Sequence, residues 1–382
     1  MTQPLRVAID LRPLALPHSS GIGLLVAQIL EELPALGVEF VGVSDRPVPP
    51  GRTPPRVRVR VAEAPGGRIL WESTALLPLL RSLEPRPDLF HATWNHGIPE
   101  RLPFPSILSL HDLIPWRHPD LVPWPPPAFL HRGLYRSAVR AAARAATAVI
   151  TLSEASRRDI AALLPTAAGK VEVISCAVPR WFRAPSPEDV AAARARFGGA
   201  PYWLYLGGFD PRKGIGDLLE ALARARAGGA ALPPIVFAGA LNPEAESCRS
   251  RAAALGLAVQ FPGYVPDADL AALYAGASLF VYPSRYEGFG IPPLLAMAAG
   301  TPLIVSDGGS LPEVVGDAAT VVPAGDVLAL ATALATAAAD PTSLEAAAAR
   351  ERARAKAFTV EALAARTLRA YERAAGRPRE SA

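Results

Sequence analysis

Two cationic side chains stand next to each other in the second half of the chain. Arg212 and Lys213 follow a strand pattern that ends at Leu206 and a loop that starts with Gly207, in the segment YLGGFDPRKGIGDLLEAL. A planar guanidinium fork and a lysine point charge beside a helix N-terminus suit a diphosphate group. A solvated basic turn is the alternative interpretation of the same residues.

A single carboxylate, Glu287, lies between a predicted buried strand and a predicted helix in SLFVYPSRYEGFGIPPLLAMAAGTPLI. Gly288 and Gly290 flank Phe289, and glycines at this point let backbone N–H groups approach a ligand. Glu287 is then placed to accept hydrogen bonds from ligand hydroxyls. The structural alternative is a carboxylate that caps the helix or pairs with Arg285.

The first predicted strand–loop–helix unit, RVAIDLRPLALPHSSGIGLLVAQIL, has a related arrangement. Gly21 and Gly23 stand where its helix is predicted to begin, so backbone N–H groups there are able to approach an anion. The spacing is not that of the GxGxxG dinucleotide fingerprint. A simple loop-to-helix turn is the plainer interpretation when the segment is taken alone.

The elements that must position these residues alternate between strands and helices in two series. The strand patterns of the first series are Arg6–Leu11, Val38–Val43, Val57–Ala62, Asp88–Ala92, Ile107–Leu110, Ala148–Thr151 and Val171–Ile174. Those of the second series are Tyr202–Leu206, Ile235–Ala238, Val259–Phe261, Leu279–Tyr282, Leu303–Val305 and Thr320–Val322. Strands that alternate with helices predict crossover connections and parallel sheets. The predicted fold class is therefore α/β, with two Rossmann-like domains whose sheets face each other across a cleft.

The boundary between the two predicted domains falls near residues 180–200. The segment VPRWFRAPSPED there contains three prolines and little periodicity, which is typical of a linker. We therefore predict one domain over residues 1–185 and a second over residues 186–357. Open parallel sheets bind ligands at the carboxyl ends of their strands, and the candidate residues follow predicted strands in both domains.

The composition narrows the classes of function. Of the 382 residues, 50% are hydrophobic and 19% are charged, which is ordinary for a globular protein and excludes a disordered chain. No apolar run reaches the roughly 18–20 residues of a membrane span, and the N-terminus shows no signal-peptide pattern, so we expect a cytoplasmic protein. The two cysteines lie in no metal-spaced motif, so we expect no metal site. The net charge of +4, without a motif of basic and aromatic residues, gives no support for nucleic-acid binding.

Taken together, these motifs resemble the retaining glycosyltransferases of GT-B fold in group 1, or family 4, over nearly the whole chain. The segments that carry the resemblance are GIG near the start, LHDLIPWRHPD (110–120), TLSEASRRDI (151–160), LGGFDPRKG (206–214), GYVPDADLAALYAGA (263–277), YPSRYEGFGIPPLLAMAAGTPLI (282–304), SLPEVVGDAA (310–319) and FTVEALAARTLRAYER (358–373). Their order and spacing agree with the family.

The resemblance implies a fold and a reaction. The C-terminal domain would bind a nucleotide-sugar donor and the N-terminal domain a glycan or lipid-linked acceptor, and a helix over residues 358–382 would pack back onto the N-terminal domain. The sugar would be transferred with retention of configuration, without a metal ion or another cofactor. Biosynthesis of a cell-surface polysaccharide or glycolipid is the expected context.

The resemblance also implies roles for single residues. Arg212 and Lys213 would hold the diphosphate, and Glu287, the first glutamate of the E-x7-E motif, would contact hydroxyls of the donor sugar. His111 corresponds to a histidine near the sugar and the reaction centre. The other donor-binding positions that the resemblance implies are Gly23, Gly207, Val265, Gly288, Phe289, Gly290, Ile291 and Leu295.

Leu295 departs from the family, whose second glutamate binds the ribose hydroxyls at this position. Loss of a hydrogen bond to a charged group weakens binding by roughly 1.5–3 kcal/mol. Three interpretations are open: a donor that is bound loosely but productively, a donor with deoxyribose, and a non-catalytic relative that only binds sugar nucleotides. We favour them in that order because Arg212, Lys213, Glu287 and His111 are all present. Leu295 also fits an apolar stripe, so a helix packed more deeply into the core is the structural interpretation.

Two further alternatives concern reaction and location. An epimerase of the same fold would need additional acid–base carboxylates, and the sequence shows no obvious set. A basic stripe beside Trp124 and Phe129 on a predicted helix favours either a solvated helix face or a peripheral contact with an anionic membrane. The stripe consists of Arg132, Arg136, Arg140 and Arg144.

Overall fold

A computed structural model describes residues 3–17, 20–64 and 68–377 of the chain. The chain forms two compact units. Unit 1 consists of Met1–Arg117, Trp124–Ala177 and Thr359–Ala382, and unit 2 consists of His118–Pro123 and Val178–Phe358. The short segment His118–Pro123 from the first half of the chain therefore belongs to unit 2, and the main change from unit 1 to unit 2 follows Ala177, eight residues before the predicted boundary at residue 185.

Unit 1 contains a sheet of seven strands in the order β3-β2-β1-β4-β5-β6-β7, and every neighbouring pair is parallel. The strands are β1 (Leu5–Asp10), β2 (Val38–Ser44), β3 (Arg58–Val61), β4 (Leu89–Ala92), β5 (Ser106–Ser109), β6 (Ala148–Thr151) and β7 (Val171–Val173). The connecting helices are α1 (Gly21–Glu32), α2 (Arg68–Thr74), α3 (Leu76–Arg81), α4 (Ile114–Arg117), α5 (Ala128–Ala145) and α6 (Glu154–Leu163).

The order of strands creates a crevice at the carboxyl edge of this sheet. The chain runs from β1 outward to β2 and β3, then returns to place β4 on the other side of β1. The connections after β1 and β4 therefore leave in opposite directions, which is the topological switch point where open α/β sheets bind ligands. Almost every residue of β1 is buried, as expected for a central strand covered by helices on both faces.

Unit 2 contains a parallel sheet of six strands in the order β10-β9-β8-β11-β12-β13. The strands are β8 (Tyr202–Leu206), β9 (Ile235–Ala238), β10 (Val259–Gly263), β11 (Ala277–Tyr282), β12 (Leu303–Ser306) and β13 (Thr320–Val322). The helices are α7 (Pro187–Ala195), α8 (Ile215–Ala227), α9 (Pro243–Ala254), α10 (Asp267–Gly276), α11 (Ile291–Ala299), α12 (Leu311–Val315), α13 (Val327–Ala339) and α14 (Pro341–Ala355). The switch point of this sheet lies between β8 and β11.

Helix α7 lies inside the segment that the prolines predicted as a linker. Pro187 occupies the first helical turn, where a missing backbone N–H is tolerated. The Ser186 hydroxyl accepts a hydrogen bond from the Asp189 backbone N–H, and the Asp189 carboxylate accepts one from the Ser186 backbone N–H. This capping box stabilises the start of α7, which the three prolines of the segment had predicted to be a linker.

The last helix, α15 (Val360–Ala374), belongs to unit 1, as the predicted fold requires. Thr359 caps its start by accepting a hydrogen bond from the backbone N–H of Ala362. The Tyr371 hydroxyl lies 2.7 Å from His91 Nδ1 in β4, and Arg377 pairs with Asp88 at 2.7 Å. The helix therefore attaches to the central strand β4 of the first sheet across a large separation in sequence.

None of the described helices is by itself long and apolar enough to cross a membrane. The bent pair Val327–Ala339 and Pro341–Ala374 passes the same test by length and composition only.

Candidate active site

The loops that follow β8 and β11 meet at the carboxyl edge of the sheet of unit 2. The backbone N–H of Arg285 donates to the carbonyl of Arg212 at 2.7 Å, which joins the two loops. Gly214 permits this approach because it has a φ of +67° and because a Cβ atom there would lie 2.3 Å from the Pro283 carbonyl oxygen. The switch point between the adjacent strands β8 and β11 thus brings Arg212 and Lys213 to Glu287.

Glu287 is the centre of this cluster and is only 8% exposed. Its Oε1 lies 2.7 Å from Lys213 Nζ, and its Oε2 lies 2.7 Å from Arg212 Nη1. Two hydroxyls also donate to Oε1, from Ser284 at 2.6 Å and from Tyr282 at 3.0 Å. One carboxylate therefore holds two cations, and the cluster of these three charged side chains keeps a net positive charge.

The ionisation of Glu287 follows from these contacts. Burial would raise its pKa, but the charges of Lys213 and Arg212, with hydrogen bonds from Lys213 and Ser284, lower the pKa to about 2. Glu287 is therefore a carboxylate throughout the neutral range. It is suited to accepting hydrogen bonds and to positioning cations, and not to donating a proton.

Sequence reasoning missed Tyr282 and Ser284. Tyr282 lies at the end of β11, accepts a hydrogen bond from Lys213 Nζ at 2.8 Å, and donates one to Glu287. Burial and the charge of Glu287 raise the pKa of Tyr282 well above its usual value, so its phenol stays neutral. The only available signal was two hydroxyls at the end of an apolar strand, which gives no information about their partners.

The segment after Glu287 leads into α11. Gly290 is the N-cap of this helix with a φ of +106°, and Ile291 is its first residue. Glu287 and Gly309, which follow β11 and β12, form an isolated parallel bridge, and Ser310 Oγ donates to the carbonyl of Phe289 at 2.8 Å. The predicted backbone positions are therefore fixed at the carboxyl edge of the sheet.

Four other predicted donor positions also lie in unit 2. Gly207 follows β8 directly and donates its N–H to the Ala238 carbonyl at 3.0 Å. Gly288 is buried, and Val265, which follows β10, is 7% exposed. Leu295 on α11 is 4% exposed, so its side chain packs in the interior of unit 2, as the structural interpretation requires.

His111 follows β5 in unit 1 and is 3% exposed. Its Nε2 lies 2.8 Å from the Thr93 carbonyl oxygen, so this nitrogen carries the proton and donates. Burial lowers its pKa to about 4, and the imidazole is neutral at pH 7. Its Nδ1 is buried and has no hydrogen-bond partner among residues 3–17, 20–64 and 68–377. That nitrogen can accept a hydrogen bond from a ligand hydroxyl.

Gly23 also lies in unit 1, in the first turn of α1. Its backbone N–H donates to the hydroxyl of the N-cap residue Ser20 at 3.0 Å, so this amide already has an acceptor within the protein. A Cβ atom at Gly23 would lie 3.2 Å from the Pro13 carbonyl oxygen. This close contact with the backbone is sufficient reason for a glycine at this position.

A second charged cluster, in unit 1, also escaped sequence reasoning. Arg12 binds Asp10 with a shortest distance of 2.6 Å and binds Glu72 at 2.7 Å, and Glu72 also binds His96 at 2.7 Å. These four residues come from three separate segments around the carboxyl ends of β1 and β4. In the part of the chain that the structure describes, no group of three or more His, Cys, Asp or Glu side chains could hold a metal ion.

Comparisons with known proteins agree with this architecture. The family model described as Glycosyl transferases group 1 matches residues 188–356, and that described as Glycosyltransferase Family 4 matches residues 19–180. The O-antigen chain mannosyltransferase B of Escherichia coli is 32% identical over 283 residues, which cover 73% of this chain and 72% of that protein.

Two solved structures show the same fold. Sucrose-phosphate synthase from Thermosynechococcus elongatus superposes with a TM-score of 0.79 at 24% identity, covering 97% of this chain and 98% of that one. The HepE protein of Anabaena, solved in complex with UDP and glucose, gives a TM-score of 0.76 at 19% identity, covering 95% and 98% of the two chains. The chain belongs to the group 1 glycosyltransferases, which are nucleotide-sugar-dependent enzymes with two Rossmann-like domains.

Proposed function

We propose that the protein transfers a sugar from a nucleotide-sugar donor held by unit 2 to a glycan or lipid-linked acceptor held by unit 1, with retention of configuration and without a metal ion. The observation that carries the proposal is the convergence of Arg212 and Lys213 on the buried Glu287 at the switch point of unit 2. The similarity to a mannosyltransferase makes mannose the first donor sugar to test.

Charge stabilisation is the main catalytic contribution in this proposal. As the bond between the anomeric carbon and the diphosphate oxygen breaks, negative charge develops on the leaving diphosphate. Arg212 and Lys213 are pre-positioned by Glu287 to neutralise that charge, and pre-positioned cations in a desolvated site stabilise it more strongly than water does. The acceptor hydroxyl forms the new bond on the same face, and its proton passes to a phosphate oxygen of the leaving group.

Two further residues orient the reactants. Glu287 already accepts three hydrogen bonds at Oε1, so Oε2 is the atom that is better placed to accept a donor-sugar hydroxyl. In unit 1, His111 Nδ1 is available to accept a hydrogen bond from a substrate hydroxyl. Since the neutral imidazole of His111 donates through Nε2 to the Thr93 carbonyl, its orientation is set before the ligand arrives.

Leu295 removes the ribose contact that the family's second glutamate makes. The buried, apolar side chain offers no hydrogen-bond acceptor to a ribose hydroxyl. We expect a donor Kd that is raised by roughly 10- to 150-fold relative to a site with that glutamate, which corresponds to about 1.5–3 kcal/mol. A donor with deoxyribose would lose less, because it has one hydroxyl fewer to satisfy.

Calorimetric titration of UDP, GDP, ADP and dTDP, each with its common sugar conjugates, tests the donor site directly. Lys213→Ala should lower kcat at least 100-fold in the assay with the preferred donor, because a charge that stabilises the transition state is removed. The matched control is Lys356→Ala, which removes an exposed lysine from the same unit. Absence of binding by every donor would instead indicate a relative without this activity, and full turnover by Lys213→Ala would refute the catalytic role of Lys213.

The surface of α5 supports a peripheral contact of unit 1 with an anionic membrane that carries the acceptor. Phe129 is 78% exposed, Leu130 and Leu134 are also exposed, and Arg144 is exposed near the end of the same helix. Apolar and basic groups on one helix bind anionic headgroups. The predicted arginine stripe is not uniformly solvated, however. The guanidinium carbons of Arg136 and Arg140 lie 5.5 and 4.5 Å from the ring centroid of Trp116.

Co-sedimentation with phosphatidylcholine vesicles that contain phosphatidylglycerol at low salt tests this contact. We expect binding that is lost in the double variant Phe129→Ser with Leu134→Ser. Leu241→Ser, which removes an exposed leucine from unit 2, is the control. Equal sedimentation of the double variant and the wild type would exclude α5 as the membrane-binding surface.

A further inference from the structure

The switch point of unit 1 contains a group of side chains that the proposed function does not use. The loops after β1 and β4 leave the sheet side by side, and α2 packs nearby because its Glu72 binds Arg12. Arg68 begins α2, and Trp94 lies in the loop after β4. Open α/β sheets bind ligands at this position, so these two residues stand where a ligand of unit 1 is expected.

Arg68 is a cation without a counter-ion among the described residues. Its guanidinium carbon lies 3.9 Å from the ring centroid of Trp94, and no described carboxylate lies within ion-pair distance of it. Burial and the charge of Arg12 lower the pKa of Arg68 by more than the charges of Glu72, Asp10 and Asp45 raise it. The side chain retains an exposed portion, so an anion from solution is able to reach it.

Trp94 offers a second donor beside this cation. Its indole Nε1 is buried and, within the described chain, has no hydrogen-bond acceptor. An unsatisfied buried N–H group is unfavourable, and such groups usually have an acceptor in the functional state. The Arg68 guanidinium carbon lies 3.9 Å from the centroid of the ring that carries this N–H, which brings both donors within the span of one ligand group with several oxygens.

The position of Arg68 is fixed by the charged cluster beneath it. Glu72 lies one helical turn after Arg68, and Arg12 and His96 hold it at 2.7 Å each. Arg12 in turn binds Asp10, so the carboxylates of this cluster are already engaged with Arg12 and His96. The cluster therefore anchors α2 without supplying Arg68 with an ion-pair partner.

We propose that Arg68 and Trp94 form an oxyanion subsite of unit 1 that binds a phosphate group on the acceptor. This assignment rests on the proposed function for the role of unit 1 as the acceptor domain. An arginine fork matches the geometry of two phosphate oxygens, and the adjacent indole N–H donates to one of them. The phosphate belongs either to a lipid-linked acceptor or to a soluble sugar phosphate, which have this group in common.

Calorimetric titration of the full chain with glucose 6-phosphate and with monododecyl phosphate tests the subsite and distinguishes its two sources. Arg68→Gln should raise the Kd of the better probe at least tenfold, and Trp94→Phe, which keeps a ring beneath Arg68 but removes the N–H, should raise it about three- to tenfold. Tighter binding of dodecyl phosphate assigns the subsite to a lipid-linked acceptor, and tighter binding of glucose 6-phosphate assigns it to a soluble one.

The matched control is Arg86→Gln. Arg86 also lies over an aromatic ring in unit 1, with its guanidinium carbon 5.9 Å from the centroid of Phe104, but both residues precede their strands at the opposite, amino edge of the sheet. Its removal changes the net charge equally and should leave the Kd unchanged. Equal weakening by Arg68→Gln and Arg86→Gln would show a general charge effect and overturn the subsite.

Phosphate probes can also bind at Lys213, so Lys213→Ala is titrated in parallel. Binding that persists in Lys213→Ala and weakens in Arg68→Gln identifies the subsite of unit 1. Failure of the proposed function is recognised separately, as absence of nucleotide-sugar binding while phosphate still binds in an Arg68-dependent way. If nucleotide sugars bind but Arg68→Gln leaves the Kd of the phosphate probes unchanged, the subsite is refuted and the proposed function stands.

Discussion

His91 connects the last helix to the centre of the first sheet, and its burial makes unit 1 sensitive to mild acid. The imidazole is fully buried in β4, with Nδ1 2.7 Å from the Tyr371 hydroxyl and Nε2 2.8 Å from the Ser109 hydroxyl. Burial, with a smaller effect of the nearby His111, lowers its pKa from the ordinary 6.5 to about 3. The folded protein therefore keeps His91 neutral at pH values where the unfolded chain protonates it.

The sign and size of the effect follow from proton linkage. Below pH 6.5 the unfolded chain binds a proton at His91 that the folded chain does not bind. The free energy of unfolding therefore decreases as the pH is lowered. Between pH 7.5 and pH 5.5 the loss for His91 is about 1.4 kcal/mol, at about 1.36 kcal/mol per pH unit below the unfolded pKa. Glutamine at position 91 cannot titrate. The loss of unfolding free energy between pH 7.5 and pH 5.5 should therefore be smaller in His91→Gln than in the wild type by about 1.4 kcal/mol.

The assay is urea unfolding at both pH values, with hydrogen-exchange labelling and mass spectrometry as the readout. Peptides that cover β4 report on unit 1, which contains His91, and peptides that cover β8 report on unit 2. His91→Gln lowers the baseline stability of unit 1, so the comparison uses only the change with pH. His131→Gln, which removes a partly buried histidine from the same unit, is the control. Parallel pH slopes for wild type and His91→Gln would refute the reasoning.

Three other perturbations have defined outcomes. Tyr282→Phe removes the phenol between Lys213 and Glu287 and should lower kcat/KM about tenfold without unfolding unit 2; unchanged kinetics would assign the phenol to packing alone. Burial raises the pKa of Glu351 from its ordinary 4.5 to about 8, so above pH 4.5 this carboxylate must take up a proton when the chain folds. Glu351→Gln removes this cost. It should raise the free energy of unfolding of unit 2 by roughly 3 kcal/mol at pH 7 and by almost nothing near pH 4.5. A pH-independent difference in urea unfolding would contradict this. Gly214→Ala should destabilise unit 2 by more than about 2 kcal/mol in thermal unfolding, since the new Cβ would meet the Pro283 carbonyl and the residue has a positive φ. The control is Gly216→Ala in α8, whose Cβ would meet open space and which should be neutral or stabilising in the same assay.

Local sequence determined most of the elements and the charged residues of the proposed donor site. The alternation of apolar strands with helices predicts β8 and β9 with their observed bounds, because a buried parallel strand requires a short apolar run between turn residues. The adjacent cations Arg212 and Lys213 and the glycines around Glu287 are visible in the same way, because each set lies within one short segment. Where local signals conflict, as in the proline-rich start of α7, composition gave the wrong element.

Only the tertiary structure decided which of these groups act together. Glu287 meets Lys213 because β8 and β11 become neighbours at the switch point, although three crossover connections separate them in sequence. The contact between Arg12 and Glu72 and the placement of Arg68 over Trp94 arise in the same way in unit 1. Strand order is set by the packing of whole helices on whole sheets, a property of the complete chain that no short segment encodes.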